Sequence, residues 1–145
     1  MTVNNENTTL PLDVELLVPH RRPVRIIDRL VEFRDKSGVV ESLITSENLL
    51  IGTGGELDRI GFMELMAQSY AAVKGYHDLL YGRPTRKGFL VTAKKIEIVK
   101  DAFLGDLLTV SMETTAEIGE FAVAAGTVRR GDEILASGDL TLWVP

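Results

Sequence analysis

The sequence contains no cysteine. Disulfides, thiolate metal sites and a cysteine nucleophile are therefore excluded, and the composition suits a reducing cytoplasm. Histidine is nearly as scarce, with only His20 and His77 in the chain. No apolar run reaches the length needed to cross a bilayer. The opening MTVNNENTT lacks the basic start and apolar stretch of a secretory signal, so residues 1–10 are expected to form a loose tail. Basic surface is short as well: 16 Lys and Arg stand against 21 Asp and Glu, for a net charge of −5. Nucleic-acid binding, which needs cations to displace phosphate counterions, is not expected.

What is present describes one domain, taken as residues 11–145, long enough to bury a core. PLDVELLVP, between Pro11 and Pro19, reads as a short helical turn. VRIIDRLVEFRD and GVVESLITS are β-rich runs joined by DKSG, and together they predict a hairpin. ENLLIGTGGELD follows as a loop carrying Gly52, Gly54 and Gly55. From about Leu57 to Tyr81 there is no proline, and Ile60, Met63, Ala67, Tyr70 and Ala71 recur at helical spacing. Four more strand-like runs close the chain: KGFLVTAKKIEIV, DLLTVSMETTAEI, EFAVAAGTVRRG and EILASGDLTLWVP. In the last of these, Ile134, Ala136, Leu140 and Leu142 alternate with polar residues, the period of a strand buried on one face.

One long helix among about six strands can bury its apolar stripe only by lying across the sheet. A curved antiparallel sheet wrapped around that central helix gives an α+β hotdog fold. Gly61, Ala67, Ser69, Ala71, Ala72 and Gly75 make the helix rich in small residues, which lets other backbone approach it closely.

The helix also carries an acid among residues suited to burial: Glu64, in RIGFMELMAQSYAAVKGY. An acid so placed is either a paired structural group or a proton-transfer group. Gln68 lies four residues on, along the same face. Asp58 and Glu56 stand at the helix start, where the helix dipole favours acids, and Asp58 is a further catalytic candidate. His20, between Pro19 and Arg21, suits a hydrogen bond joining loop to strand, and His77 suits a helix end, where the dipole favours its charge. GRPTRKG, from Arg83 to Gly88, is a local basic patch.

PHRRPVRIIDRLVEF followed by GFMELMAQSYAAVKGY resembles the 3-hydroxyacyl-(acyl carrier protein) dehydratases of the FabZ and FabA type. ELMAQ, GFLV after the helix and the final DLTLWVP are more similar still to the ApeP-like thioester dehydratases of aryl polyene biosynthesis. The resemblance runs from about Leu12 to Pro145. It implies dehydration of a 3-hydroxyacyl thioester to the 2-enoyl form, on the phosphopantetheine of an acyl carrier protein or on coenzyme A. It implies neither a metal nor a redox cofactor, and a homodimer or a heterodimer with a second dehydratase subunit.

By the same resemblance Glu64 takes the catalytic carboxylate position, with Gln68 beside it. The FabZ pattern places its histidine in a Gly-His-Phe-Pro-Gly loop, and the matching place here is Leu50 in LLIGTGG, a loop without histidine. His20 falls in the family's proline-histidine-arginine stretch and is placed with the substrate-binding residues. Gly52, Gly54 and Gly55 are either plain turn residues or backbone donors to the thioester carbonyl. Arg83 and Arg86 would meet the acidic surface or the phosphopantetheine phosphate of a carrier protein. Two alternatives stay open. One is a thioesterase in which Glu64 or Asp58 activates water, and the other a silent subunit that stabilises an active dehydratase partner.

Overall fold

The computed structural model describes residues 8–145. Its elements are β1 (Leu12–Asp13), β2 (Arg29–Arg34), β3 (Ser37–Leu43), α1 (Arg59–Leu80), β4 (Phe89–Ile98), β5 (Leu107–Ile118), β6 (Phe121–Arg130) and β7 (Glu133–Trp143). All strands join one antiparallel sheet in the order β1-β2-β3-β5-β6-β7-β4. The sheet wraps α1, which packs against β2 through β7. This is the expected hotdog arrangement with seven strands in place of six, the additional one being the two-residue β1. Among the described residues, no helix is long and apolar enough to cross a membrane.

The helix begins where Asp58 caps it, its carboxylate accepting a hydrogen bond from the Ile60 N–H at 2.9 Å. One face drives Phe62, Leu65, Met66, Ala72 and Val73 into a core with Val40, Leu108, Val110, Met112, Ala124 and Leu140 from the sheet. A second face receives the chain that precedes β2. There the Tyr76 hydroxyl donates to the Thr8 carbonyl at 2.7 Å. Thr8 is buried, so the packed chain starts ahead of residue 11, and the earlier part of the expected tail lies outside the described residues.

One local expectation holds and two need correction. The run after Pro11 holds the expected short helical turn: β1 leads into a 3-10 turn over Val14–Leu16, held by Asp13 as its cap and by Leu17 N–H donating to the Val14 carbonyl at 2.8 Å. The Val18 N–H donates to the same carbonyl at 3.0 Å, so the turn closes with one i to i+4 bond and goes no further. Ile134 faces outward at 48% exposure because pairing skips Leu135 between Arg129↔Ile134 and Val128↔Ala136. That bulge shifts the strand's phase by one residue and sends Leu135 inward. His77 does sit in the last helical turn, yet its pKa is lowered, not raised. Burial is the largest cause, and Lys74 and Arg83 add to it against Asp78 and Asp35.

Gly75 is the point of closest approach between α1 and the incoming chain. A Cβ at this position would run into the Leu17 carbonyl, which is backbone and cannot swing aside. Gly75→Ala is therefore expected to lower unfolding free energy by roughly 1–3 kcal/mol through forced backbone displacement. Urea denaturation measures it, and an unchanged midpoint would show that the N-terminal segment is free to yield.

Candidate active site

The face of α1 that carries Glu64, Gln68, Ala71, Gly75 and Asp78 floors an elongated cavity of about 230 Å³. Glu64 and Asp78 are separated by fourteen residues (78 − 64), which at 1.5 Å rise per residue spans about 21 Å. Leu142 and Val144 from the end of β7, with Phe89 and Leu90 from the start of β4, form apolar walls, and Tyr70 adds its ring. Pro19 and His20 complete the lining beside the Glu64 end.

Gln68 organises that end. Its side chain is 1% exposed, and it spends its amide on three bonds. Oε1 accepts from the Ile26 N–H at 2.8 Å, while Nε2 donates to the Val24 carbonyl at 2.9 Å and to Glu64 Oε1 at 2.7 Å. Both amide hydrogens are thereby committed, so none remains for a thioester. Gln68 acts as a positioning residue: it orients Glu64 and ties the chain bearing His20 to the helix. Glu64 itself is half-buried rather than enclosed.

His20 reaches the same cavity from the loop before β2. Its Nδ1 is buried and has no hydrogen-bond partner among the described residues. Burial lowers its pKa, the Glu64 carboxylate opposes that shift, and Lys87 adds to it. The imidazole is thus favoured in its neutral, proton-accepting form. At the other end, Asp78 is 1% exposed and is held by the Arg86 guanidinium at 3.3 and 3.4 Å and by Lys74 Nζ at 3.6 Å. Burial pushes the Tyr70 hydroxyl up to about 12, with Glu117 adding to the shift, so it stays a neutral phenol.

Of the residues singled out in the sequence, Glu64, Gln68, His20 and Arg86 meet at this one cavity. The others do not line it within the protomer. Asp58 is exposed and engaged as the helix cap. The glycine loop folds on itself: Gly52 N–H donates to the Glu56 carbonyl and Gly55 N–H to the Gly52 carbonyl, at 2.8 and 3.0 Å. The Glu56 carboxylate fills the space beside Gly52 and Gly54, so the chain supplies its own anion where a thioester oxygen would have to sit. Gly55 adopts φ +83°, which glycine permits at no steric cost. Arg83 lies outside, its guanidinium 5.5 Å from the centroid of the Tyr81 ring. Tyr70, Lys74 and Asp78 were missed, although Lys74 and Asp78 continue the Glu64 stripe at spacings that the helical period makes visible.

A carboxyl and a neutral imidazole at one end of an apolar-walled trough can move protons on an extended acyl group. One helix wrapped by a single antiparallel sheet is the hotdog fold. The sequence model for ApeP-like proteins, described as ApeP dehydratase, matches residues 12–145, and the chain belongs to that family. It is 28% identical over 137 residues to the 3-hydroxyacyl-[acyl-carrier-protein] dehydratase FabZ of Natranaerobius thermophilus, covering 89% of this chain and 92% of that protein. Among solved structures it is similar to the dehydratase heterocomplex ApeI:P of Xenorhabdus doucetiae, with a TM-score of 0.85 at 19% identity over 92% of this chain and 91% of the other. A hypothetical thioesterase protein with coenzyme A from Streptococcus pneumoniae shares the fold at a TM-score of 0.60 and 16% identity, over 80% and 84%.

Replacing the two polar residues of the helix separates positioning from chemistry. Gln68→Ala strands the Val24 carbonyl and Ile26 N–H and is expected to cost roughly 2–4 kcal/mol. Glu64→Gln keeps an oxygen able to accept from Gln68 and removes a half-buried charge, so its stability should stay within about 0.5 kcal/mol of wild type. Chemical denaturation of the pair checks this. Equal losses in the two variants would make Glu64 a structural group.

Proposed function

We propose that the protein dehydrates a 3-hydroxyacyl thioester to the 2-enoyl thioester, with Glu64 as one of its proton-transfer groups. One observation carries the reading: in a chain of the ApeP-like family, a carboxyl oriented by a fully committed buried amide opens into an elongated apolar-walled cavity. In the reaction the C2–H bond breaks and its proton passes to a basic side chain. The electron pair becomes the C2–C3 double bond, the C3–O bond breaks, and the hydroxyl takes a proton and leaves as water. Two positioned proton-transfer groups suffice for this chemistry.

The substrate is an acyl chain carried on the phosphopantetheine of an acyl carrier protein or on coenzyme A. Arg83 and Lys87, both exposed beside the cavity's β4 wall, suit a phosphate or an acidic carrier surface. Arg86 is drawn inward by Asp78 and serves the far end of the cavity instead. The working unit is a dimer of hotdog chains joined along β4. That edge strand carries Phe89, Leu90 and Val91 at 43%, 43% and 51% exposure, and unpaired strand edges with apolar side chains favour pairing. The similar ApeI:P structure is itself described as a heterocomplex, which supports a second dehydratase chain as partner as much as a second copy.

The test is enoyl formation from 3-hydroxyacyl thioesters on carrier protein and on coenzyme A, followed by mass spectrometry. Wild type, alone or with a second dehydratase chain, is expected to remove one water, and Glu64→Gln to slow that by ~10²–10⁴. Equal rates in the two proteins would remove Glu64 from the chemistry. Release of free thiol without enoyl product would make the protein a thioesterase.

A further inference from the structure

We infer that the end of the cavity remote from Glu64 is an anion-accepting subsite, built by Tyr70, Lys74 and Arg86, that selects acyl chains ending in a carboxylate. The inference rests on the dehydratase reading, which puts the thioester beside Glu64, and adds the class of tail that the same cavity would take. Glu64 and Asp78 lie about 21 Å apart along α1, so one extended chain can reach from the reacting carbons to the far cluster. Small and apolar side chains line the way, with Ala67 and Ala71 on the floor and Leu90, Leu142 and Val144 on the walls.

The cluster holds more donors than its own acid can use. Buried Asp78 faces two cations. Arg86 Nε and Nη2 donate to it at 3.4 and 3.3 Å, and Lys74 Nζ stands 3.6 Å away, ion-paired but outside hydrogen-bond reach. Charge-assisted bonds normally close to about 2.7–2.9 Å, so Asp78 saturates neither cation. Tyr70 adds a third donor. It is 5% exposed, and its hydroxyl makes no hydrogen bond among the described residues. Burial, with Glu117 next, raises that hydroxyl to about 12, so it keeps its proton. The loop after the helix fixes the arrangement, because the Arg83 N–H donates to the Asp78 carbonyl at 2.7 Å and ties the segment bearing Arg86 to the helix end.

Two cations against one carboxylate leave the end net positive, and Glu117, the other acid near Tyr70, is already paired with Lys36 at 3.1 Å. Unspent donors at the end of an apolar track suit an anionic acceptor. A carboxylate is planar and accepts from two N–H groups at once, which matches the Arg86 fork. The phosphate of phosphopantetheine offers related chemistry, but its arm also carries amides. The side chains between the two ends are apolar and Gln68 has no amide hydrogen left, so those amides would be buried without partners. A hydrocarbon chain meets no such cost, which makes a tail carboxylate the better occupant.

Thioesters of N-acetylcysteamine, which carry no phosphate, isolate the tail. A length series of 3-hydroxyacyl chains, each ending in carboxylate or in methyl, is assayed for water loss with the protein and, where one is required, its partner chain. At the length that spans the cavity the carboxylate chain is expected to have a roughly tenfold higher kcat/KM, and Lys74→Gln and Tyr70→Phe are each expected to bring that ratio toward unity. A wild-type ratio at or below unity at every length, or a preference that survives both substitutions, would overturn the inference. Calorimetry of the corresponding non-reacting thioethers on wild type reads the same preference without turnover and without a variant, and equal affinities there would also overturn it. Tighter binding of the carboxylate thioether with no water lost from either thioester would support the subsite and count against the dehydratase reading. Methyl-ended thioethers that gain affinity on phosphopantetheine, and lose the gain in Lys74→Gln, would assign the cations to the phosphate and overturn the inference.

Discussion

Everything at the candidate active site depends on the Gln68 amide. The chain between β1 and β2 is not a strand where it crosses the helix, so Val24 and Ile26 have no ladder to satisfy their backbone groups there. Gln68 supplies both an acceptor and a donor to them and has one amide hydrogen left, which goes to Glu64. A carboxylate in its place would lack the donors, and a hydroxyl would be too small to bridge three partners. Ser42 on β3 meets the same segment from the other side, its hydroxyl donating to the Ile26 carbonyl. The segment that leads from His20 into the sheet is therefore pinned between helix and strand by side chains rather than by secondary structure.

Size does the rest. Gly75 lets the Leu17 backbone touch the helix, and Gly126 on β6 leaves room for the sulfurs of Met66 and Met112. Such close approach brings the β7 terminus and the N-terminal segment to either side of one helical face, and the trough between them is what remains unfilled. Its ends differ. Near Glu64 the polar groups are few and oriented, whereas the far end carries a buried Asp78 paired with Lys74 and Arg86. Burying one carboxylate there demands partners, since an unpaired charge in low dielectric is costly.

The architecture was legible because its signals are periodic. The helix between Asp58 and Tyr81 and the strands after it announce themselves by spacing, and a lone helix among strands leaves few packings. Glu64 and Gln68 were legible for the same reason, four apart on one face. His20 was visible as a residue but not as a neighbour of Glu64, because their meeting depends on a path that the Gln68 bonds impose on an irregular segment. The glycine loop misled in the opposite way. Its composition suits donors to an oxyanion, yet the position of Glu56 beside those glycines turns it inward on itself. The outward turn of Ile134 follows from a single skipped pairing on β7, which no alternation pattern reveals.

Proton transfer at C2 is the step that separates a dehydratase from a hydrolase built on the same fold, and the reverse reaction reads it directly. The protein, with its partner chain where one is required, is given a 2-enoyl thioester in deuterium oxide, and the product is analysed by mass spectrometry and NMR. The account predicts addition of water across the double bond, with one deuterium at C2 and the hydroxyl at C3, and loss of both when Glu64 is replaced by Gln. Recovery of unlabelled acid and free thiol, or label incorporation that survives the substitution, would contradict it.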